Sequence, residues 1–203
     1  MTLRFDEPST LRGIMDVWCA IRTYPKHATE LGNPIPEEPV FFLKPSSSVV
    51  DFGQIDSCGG DVHHEIELVI KLGEGLKPTH MALGLDLTKR SIQDRLNEKK
   101  LPWAEAKAFT GSAVLGEWVE FDERAKYQLE INGNQVQTGS LEEMSWSAYE
   151  LISKLADWAP ITKGDILFTG TPSGVGPLNA GDELTALMYV DGEVISTHSA
   201  TCV

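Results

Sequence analysis

From His64 to Leu72 the chain alternates, with His64, Ile66, Leu68, Ile70 and Leu72 on one face of an extended segment and Glu65, Glu67, Val69 and Lys71 on the other. This period predicts a strand. A second alternation sets Leu83, Leu85 and Leu87 against Ala82, Gly84, Asp86 and Thr88, which puts Asp86 near a strand end before a polar, helix-like run from Lys89 to Lys100. Tyr127, Leu129 and Ile131 alternate into Asn132-Gly133, a strong two-residue hairpin signal, and Gln135-Val136-Gln137 returns. Nearer the start, Asp16 to Ile21 reads as a short buried strand, and Pro25 opens a one- or two-turn helix that Gly32 closes. Val40-Phe41-Phe42-Leu43 reads as a strand ending before Lys44-Pro45, and the Ser- and Gly-rich stretch to Asp61 as surface loop. One long helix is expected between Leu141 and Trp158, where Met144, Ala148, Leu151, Ile152, Leu155 and Trp158 recur at helical spacing, with Pro160 at its end. Strands follow the turn signals Gly164-Asp165, Gly181-Asp182 and Asp191-Gly192. The count predicts a mainly β fold with a few helices (α+β), and no repeat or linker divides it.

Composition narrows the function classes. The 203 residues are enough to bury one core, and their 41% hydrophobic and 23% charged content is that of an ordinary globular chain, so a single catalytic domain is expected over 1–203, with 1–15 as an N-terminal extension. A formal charge of -13 argues against a nucleic-acid groove or an anionic membrane surface, both of which reward clustered Lys and Arg. Cys19, Cys58 and Cys202 are odd in number and far apart, which supports neither a disulfide framework nor a Cys-rich zinc site. No stretch resembles a signal peptide or approaches the ~20 apolar residues that span a bilayer, so a soluble, cytoplasmic protein is expected.

Two carboxylates two positions apart on one strand share a face, roughly 7 Å apart at their α-carbons, so Glu65 and Glu67 can converge on one cation. Asp86, from the second strand, completes an all-oxygen set that suits Mg, Mn or Ca better than zinc. Spacing alone still favours the plainer reading, a solvated face of an amphipathic strand. Thr169 to Pro177 reads as a strand emptying into a glycine-rich loop, whose backbone donors and Thr171 hydroxyl suit a carboxylate or oxyanion, against the alternative of an ordinary tight turn.

Longer strings reverse the balance. They are Arg22-Thr23-Tyr24-Pro25-Lys26-His27, Glu38-Pro39-Val40-Phe41-Phe42-Leu43-Lys44-Pro45, Val62-His63-His64-Glu65-Ile66-Glu67-Leu68, Leu85-Asp86-Leu87-Thr88, Leu101-Pro102-Trp103 with Lys107-Ala108-Phe109, and Thr169 to Pro177. In this order, from Cys19 to about Val190, the chain resembles the fumarylacetoacetate hydrolase family, especially its small acylpyruvate hydrolase and oxaloacetate decarboxylase branch. The resemblance implies a β-roll like that family's C-terminal domain and a homodimer. It places Glu65, Glu67 and Asp86 on the metal ligands, with Mg the expected cofactor and Mn the alternative, and Lys107 beside metal and substrate. His27 and Glu30 fall on the water-activating pair, three residues apart on a short helix, where a carboxylate can orient the imidazole. Arg22, Tyr24, Lys44, Arg90, Gln93 and Thr171 fall on substrate-binding positions, while Phe42, Trp103 and Trp158 are read as core. The chain departs from the family at Ile21, Thr23 and Ser91, where Gly, Asn and Asp are usual, and in a connection from Gly73 to Met81 that is shorter by roughly one helix.

The implied substrate is a small 2-oxo acid whose 2-oxo group and carboxylate chelate a hard cation. The implied reaction is hydrolysis of the carbon-carbon bond of an acylpyruvate to release pyruvate. Oxaloacetate decarboxylation and enol-keto isomerisation on the same site are the alternatives, and a non-catalytic Mg- and dicarboxylate-binding scaffold is the remaining class.

Overall fold

The structure is a computed structural model that describes residues 15–25 and 36–203. At its centre Ile66–Leu72 and Pro78–Asp86 form an antiparallel hairpin with Ile66 opposite Leu85 and Glu67 opposite Gly84. The connection is a single 3-10 turn, Glu74–Leu76, so the short Gly73-to-Met81 segment closes a hairpin directly. This pair lies in the middle of an eight-stranded sheet, in the order Val40–Lys44, Val17–Ile21, Ile166–Phe168, Ile66–Leu72, Pro78–Asp86, Ala113–Leu115 and Val49–Asp51, with Val119–Glu120 also on Pro78–Asp86.

A five-stranded sheet curls over one face, in the order Asn134–Ser140, Lys126–Ile131, Glu183–Val190, Glu193–Cys202 and Gln54–Ile55. Ile66, Leu68, Leu83 and Leu85 meet Tyr127, Leu129, Leu184 and Met188 between the sheets. The hairpin signal at Asn132-Gly133 is realised with φ of 53° and 75°, the left-handed pair that a two-residue turn requires. The helix Ala148–Ala156 lays Leu151, Ile152 and Leu155 on Ile70, Leu72 and Trp18. A three-stranded sheet of Gly176–Pro177, Val62–His64 and Thr88–Lys89 closes one end. The mainly β expectation therefore holds, and no helix among the described residues is long and apolar enough to cross a membrane.

Four local expectations change. The strand expected over 64–72 is interrupted at Glu65, where the chain passes from the small sheet to the large one. The helix expected over 141–158 is a 3-10 turn, Leu141–Glu143, followed by Ala148–Ala156. Its start is set by a capping box in which the Glu150 N–H donates to Ser147 Oγ at 3.2 Å and the Ser147 N–H donates to Glu150 Oε2 at 2.8 Å. Trp158 lies beyond that helix, 63% exposed, with Trp18 edge-on to its ring at 5.5 Å. The Ser- and Gly-rich stretch contributes the strands Val49–Asp51 and Gln54–Ile55. The short helix expected to carry His27 and Glu30 lies outside the described residues after Pro25.

Candidate metal centre

Glu65, Glu67 and Asp86 each offer a carboxylate oxygen, and the three atoms lie within 4.8 Å of one another. Glu65 stands at the break between sheets, Glu67 one residue inside the Ile66–Leu72 strand and Asp86 at the end of its neighbour, so the hairpin register alone gathers them. The Asp86 N–H donates to Glu65 O at 2.9 Å and fastens that corner. All three are buried, which removes the solvated-face reading of the Glu65 and Glu67 alternation.

Cations surround the cluster. Lys107, in the short helix Ala104–Lys107 and 2% exposed, bridges Glu65 Oε2 and Asp86 Oδ2 at 2.8 Å each. Lys44 Nζ, buried beneath, lies 2.8 Å from Asp86 Oδ1 and donates to the carbonyls of Leu87 and Lys107. Arg90 opens the helix Arg90–Glu98 and spans Glu65 Oε1 and Gln93 Oε1, at 2.5 Å each. Burial by itself would raise the Glu65 carboxyl, but Lys107 and Arg90 outweigh it and hold its pKa at about 2. Burial would likewise lower Lys107, and the charges of Asp86 and Glu65 instead hold it above the usual lysine range. Among the described residues no cation pairs with Glu67. Burial and then the Asp86 charge push its carboxyl well above the usual range, against the Gly170 N–H that donates to Glu67 Oε2 at 2.7 Å.

The donor set fits a hard divalent cation. Three buried carboxylates supply oxygen alone, and Asp86 Oδ1 receives no hydrogen bond, because Lys44 stands at ion-pair distance but out of hydrogen-bond alignment. The cluster opens into a cleft of about 370 Å³ lined also by Arg22, Arg90, Gln93, Lys107 and Thr171.

Residues 16–200 match the fumarylacetoacetate (FAA) hydrolase C-terminal family. The chain belongs to that family. It is 36% identical over 203 residues to the oxaloacetate tautomerase YcgM of Escherichia coli K12, covering 91% of this chain and 92% of that protein. A putative fumarylacetoacetate isomerase/hydrolase from Oleispira antarctica superposes with a TM-score of 0.89 at 38% identity, over 95% of each chain. The fumarylpyruvate hydrolase of Pseudomonas aeruginosa, solved with Mn2+ and pyruvate, superposes with a TM-score of 0.84 at 30% identity, over 99% of each chain. The protein is thus an enzyme of the fumarylacetoacetate hydrolase family.

Within this enzyme the cleft gathers most of the residues singled out from sequence. Arg22 stands at its wall, half-buried, with no ion-pair partner among the described residues, and holds a left-handed backbone at φ 57°. Gln93 is buried beneath Arg90. Thr171 is 6% exposed, and its hydroxyl donates to Ile66 O at 2.8 Å, so the proton expected for a substrate oxyanion is spent on the main chain. Tyr24 does not line the cleft; its hydroxyl is shared with Tyr127 at 2.6 Å and reaches Ser140 O at 3.0 Å. Lys44 also lies behind the cleft wall and touches the site through Asp86 and the main-chain carbonyl of Lys107. His27 and Glu30 lie outside the described residues.

The departures are absorbed locally. Thr23 Oγ1 donates to Thr169 O at 2.7 Å, binding the segment after Ile21 to the glycine-rich loop. The Ser91 N–H donates to Asp61 Oδ1 at 2.9 Å, which steadies the start of the Arg90 helix. Asp94, Asn97 and Trp103 line the cleft without having been singled out for it. Asp94 and Asn97 follow Arg90 at i+4 and i+7, a periodicity the sequence did contain. Trp103, read as core, is half-buried and donates to Asn97 Oδ1 at 2.6 Å.

Proposed function

We propose that the protein is a Mg- or Mn-dependent enzyme that forms and quenches the enolate of a small 2-oxo acid, with oxaloacetate enol-keto tautomerisation as its main reaction. The observation that carries this reading is the buried Glu65, Glu67 and Asp86 cluster bridged by Lys107 at the floor of a cleft of about 370 Å³, with Arg22 on the wall. Glu65, Glu67 and Asp86 would hold the cation. Once bound, it supplies the Lewis acidity that polarises a 2-oxo group and the charge that offsets an enolate.

The chain's own groups do the rest. Lys107 is fixed in its charged form by two carboxylates and stands beside the place where enolate charge grows, as electrostatic stabilisation demands. Arg22, which has no ion-pair partner among the described residues, offers its guanidinium to a substrate carboxylate, and Arg90, oriented by Glu65 and Gln93, faces the same cleft. In this reading His27, assisted by Glu30, takes the proton from C3 of the keto acid and returns that same proton to the oxygen at C2 as the enol forms, so the imidazole ends as it began.

Acylpyruvate hydrolysis is the second reading, favoured by the likeness to a fumarylpyruvate hydrolase solved with Mn2+ and pyruvate. There His27 would take its proton from water, hydroxide would attack the distal carbonyl, and the pyruvate enolate would leave. The deciding experiment follows enol loss from oxaloacetate, and pyruvate release from oxaloacetate, acetylpyruvate and fumarylpyruvate, with Mg, with Mn and after chelation. Tautomerisation faster than pyruvate release from every substrate supports the first reading; faster hydrolysis supports the second. Undiminished activity after chelation would remove both. His27→Ala should lower tautomerisation or hydrolysis by roughly 10² to 10⁴, the range for losing a general base, while sparing metal affinity. The same proposal includes a homodimer, which sedimentation at assay concentration tests directly.

A further inference from the structure

Gln137 has no place in the mechanism above, yet its side chain touches both walls of the metal centre. It comes from the Asn134–Ser140 strand of the five-stranded sheet and is 2% exposed. Its amide oxygen faces the Ile66 N–H at 3.1 Å and His64 Nδ1 at 2.8 Å, and its amide nitrogen faces Thr171 Oγ1 and Pro172 O, both at 2.9 Å.

Only one proton arrangement satisfies these contacts. The Ile66 N–H can only donate, so the amide oxygen must face it, and Pro172 O can only accept, so the NH2 must face the loop. His64 then carries its proton on Nδ1. Because Thr171 Oγ1 accepts from Gln137, its own proton goes to Ile66 O, at 2.8 Å. Both amide hydrogens and both oxygen lone pairs of Gln137 are used, and what Thr171 Oγ1 retains toward the cleft is a lone pair.

The position of this network matters more than its completeness. Ile66 lies between the ligands Glu65 and Glu67, and Gly170, beside Thr171, donates to Glu67. One buried amide therefore locks the ligand strand to the opposing loop. We infer that Gln137 is a positioning residue of the metal centre, setting the separation of the ligand strand and the Thr169–Pro172 loop and presenting Thr171 to the cleft as an acceptor. The inference rests on the proposed metal-dependent function.

The test uses Gln137→Met, which keeps length and removes all four contacts, and Gln137→Glu, which keeps the acceptors and removes the donors. Mn2+ affinity is read by titration, and kcat and KM on oxaloacetate at saturating Mn2+, with folding checked by thermal melting. Loss of a group that orients metal ligands typically costs 10- to 100-fold in metal affinity or activity. The expected result is a loss of about that size in Mn2+ affinity and in kcat for Gln137→Met, a smaller one for Gln137→Glu, and a KM within about threefold of the unsubstituted enzyme. A role confined to packing predicts a lowered melting temperature with kcat and Mn2+ affinity intact, and a folded variant of that kind overturns the inference.

If neither variant folds, the side-chain NH2 of Gln137 in the unsubstituted protein decides by nitrogen-15 NMR. Slow solvent exchange and a shift on Mg addition support the lock, and fast exchange with no shift overturns it. Should the unsubstituted protein bind no Mn2+, the metal reading itself fails, and the exchange rate still reports whether the amide is locked.

Discussion

Gly170→Ala isolates the contact between the glycine-rich loop and the segment that departs from the family at Thr23. Gly170 holds φ at 100°, a conformation that costs an alanine about 1–3 kcal/mol. An added Cβ would stand 2.0 Å from Thr23 Oγ1 and 3.2 Å from Thr23 Cβ, so Thr23 must turn away. Turning breaks the buried hydrogen bond from Thr23 Oγ1 to Thr169 O and leaves that carbonyl unpaired, a further cost of about 1–3 kcal/mol. The sum is about 2–6 kcal/mol. At about 2–4 °C per kcal/mol for a chain of this size, the melting temperature should fall by about 4–24 °C. The Gly170 N–H donates to Glu67 Oε2, so Mn2+ affinity should fall with it. The informative companion is Thr23→Ala. It forfeits the hydrogen bond by itself but removes the clashing oxygen, so the double variant should melt no lower than Gly170→Ala alone. Calorimetry of the four proteins closes the cycle. A Gly170→Ala protein melting within about 2 °C of the unsubstituted one, or a double variant whose loss equals the sum of the singles, would refute the reasoning.

Three further substitutions probe the charges around the cluster. Lys44→Met removes the buried ammonium beside Asp86 and should cost the metal-free protein about 3–5 kcal/mol in urea unfolding, less when Mn2+ is saturating; an equal loss in both conditions would contradict the neutralising role. Arg22→Gly relieves a left-handed arginine, worth about 1 kcal/mol, while withdrawing the guanidinium from the cleft wall, so melting temperature should rise as KM for oxaloacetate rises about tenfold; a lower melting temperature or an unchanged KM would refute it. Lys107→Met should lower kcat by about 10² to 10³ and leave KM little changed, and a kcat within twofold of the unsubstituted enzyme would remove Lys107 from the chemistry.

The strands were legible because alternation is local: Ile66 to Leu72, Lys126 to Ile131 and the Asn132-Gly133 turn all fall where periodicity and turn chemistry put them. What alternation does not carry is which face meets solvent. Glu65 and Glu67 read as a solvated stripe, and are buried because Lys107 and the Gly170 loop arrive from 42 and 103 residues away. The break at Glu65 has the same origin, since pairing with Thr88–Lys89 on one side and Pro78–Asp86 on the other is decided by partners, not by propensity. The extent of the Ala148–Ala156 helix was written in Ser147 and Glu150, a Ser-x-x-Glu box outweighed by apolar spacing that ran past both ends. The three clustered carboxylates were picked out by the family strings, whereas Gln137 lies outside every one of them and shows itself only through its contacts.

The tight turn at Glu74–Leu76 has a consequence for how the protein assembles. All three clustered carboxylates are carried by one hairpin and its immediate flank, while their counter-charges and the Glu67 donor come from elsewhere in the chain. Contacts close in sequence form before distant ones, because loop closure is cheaper. Loop closure thus favours the acidic corner gathering ahead of Lys44, Lys107 and Gly170, which would leave its three carboxylates without their cations until these dock. A divalent cation held by that corner would screen this stage and assist folding, and refolding rates measured with and without Mg would show it as an acceleration that sodium at matched ionic strength does not reproduce.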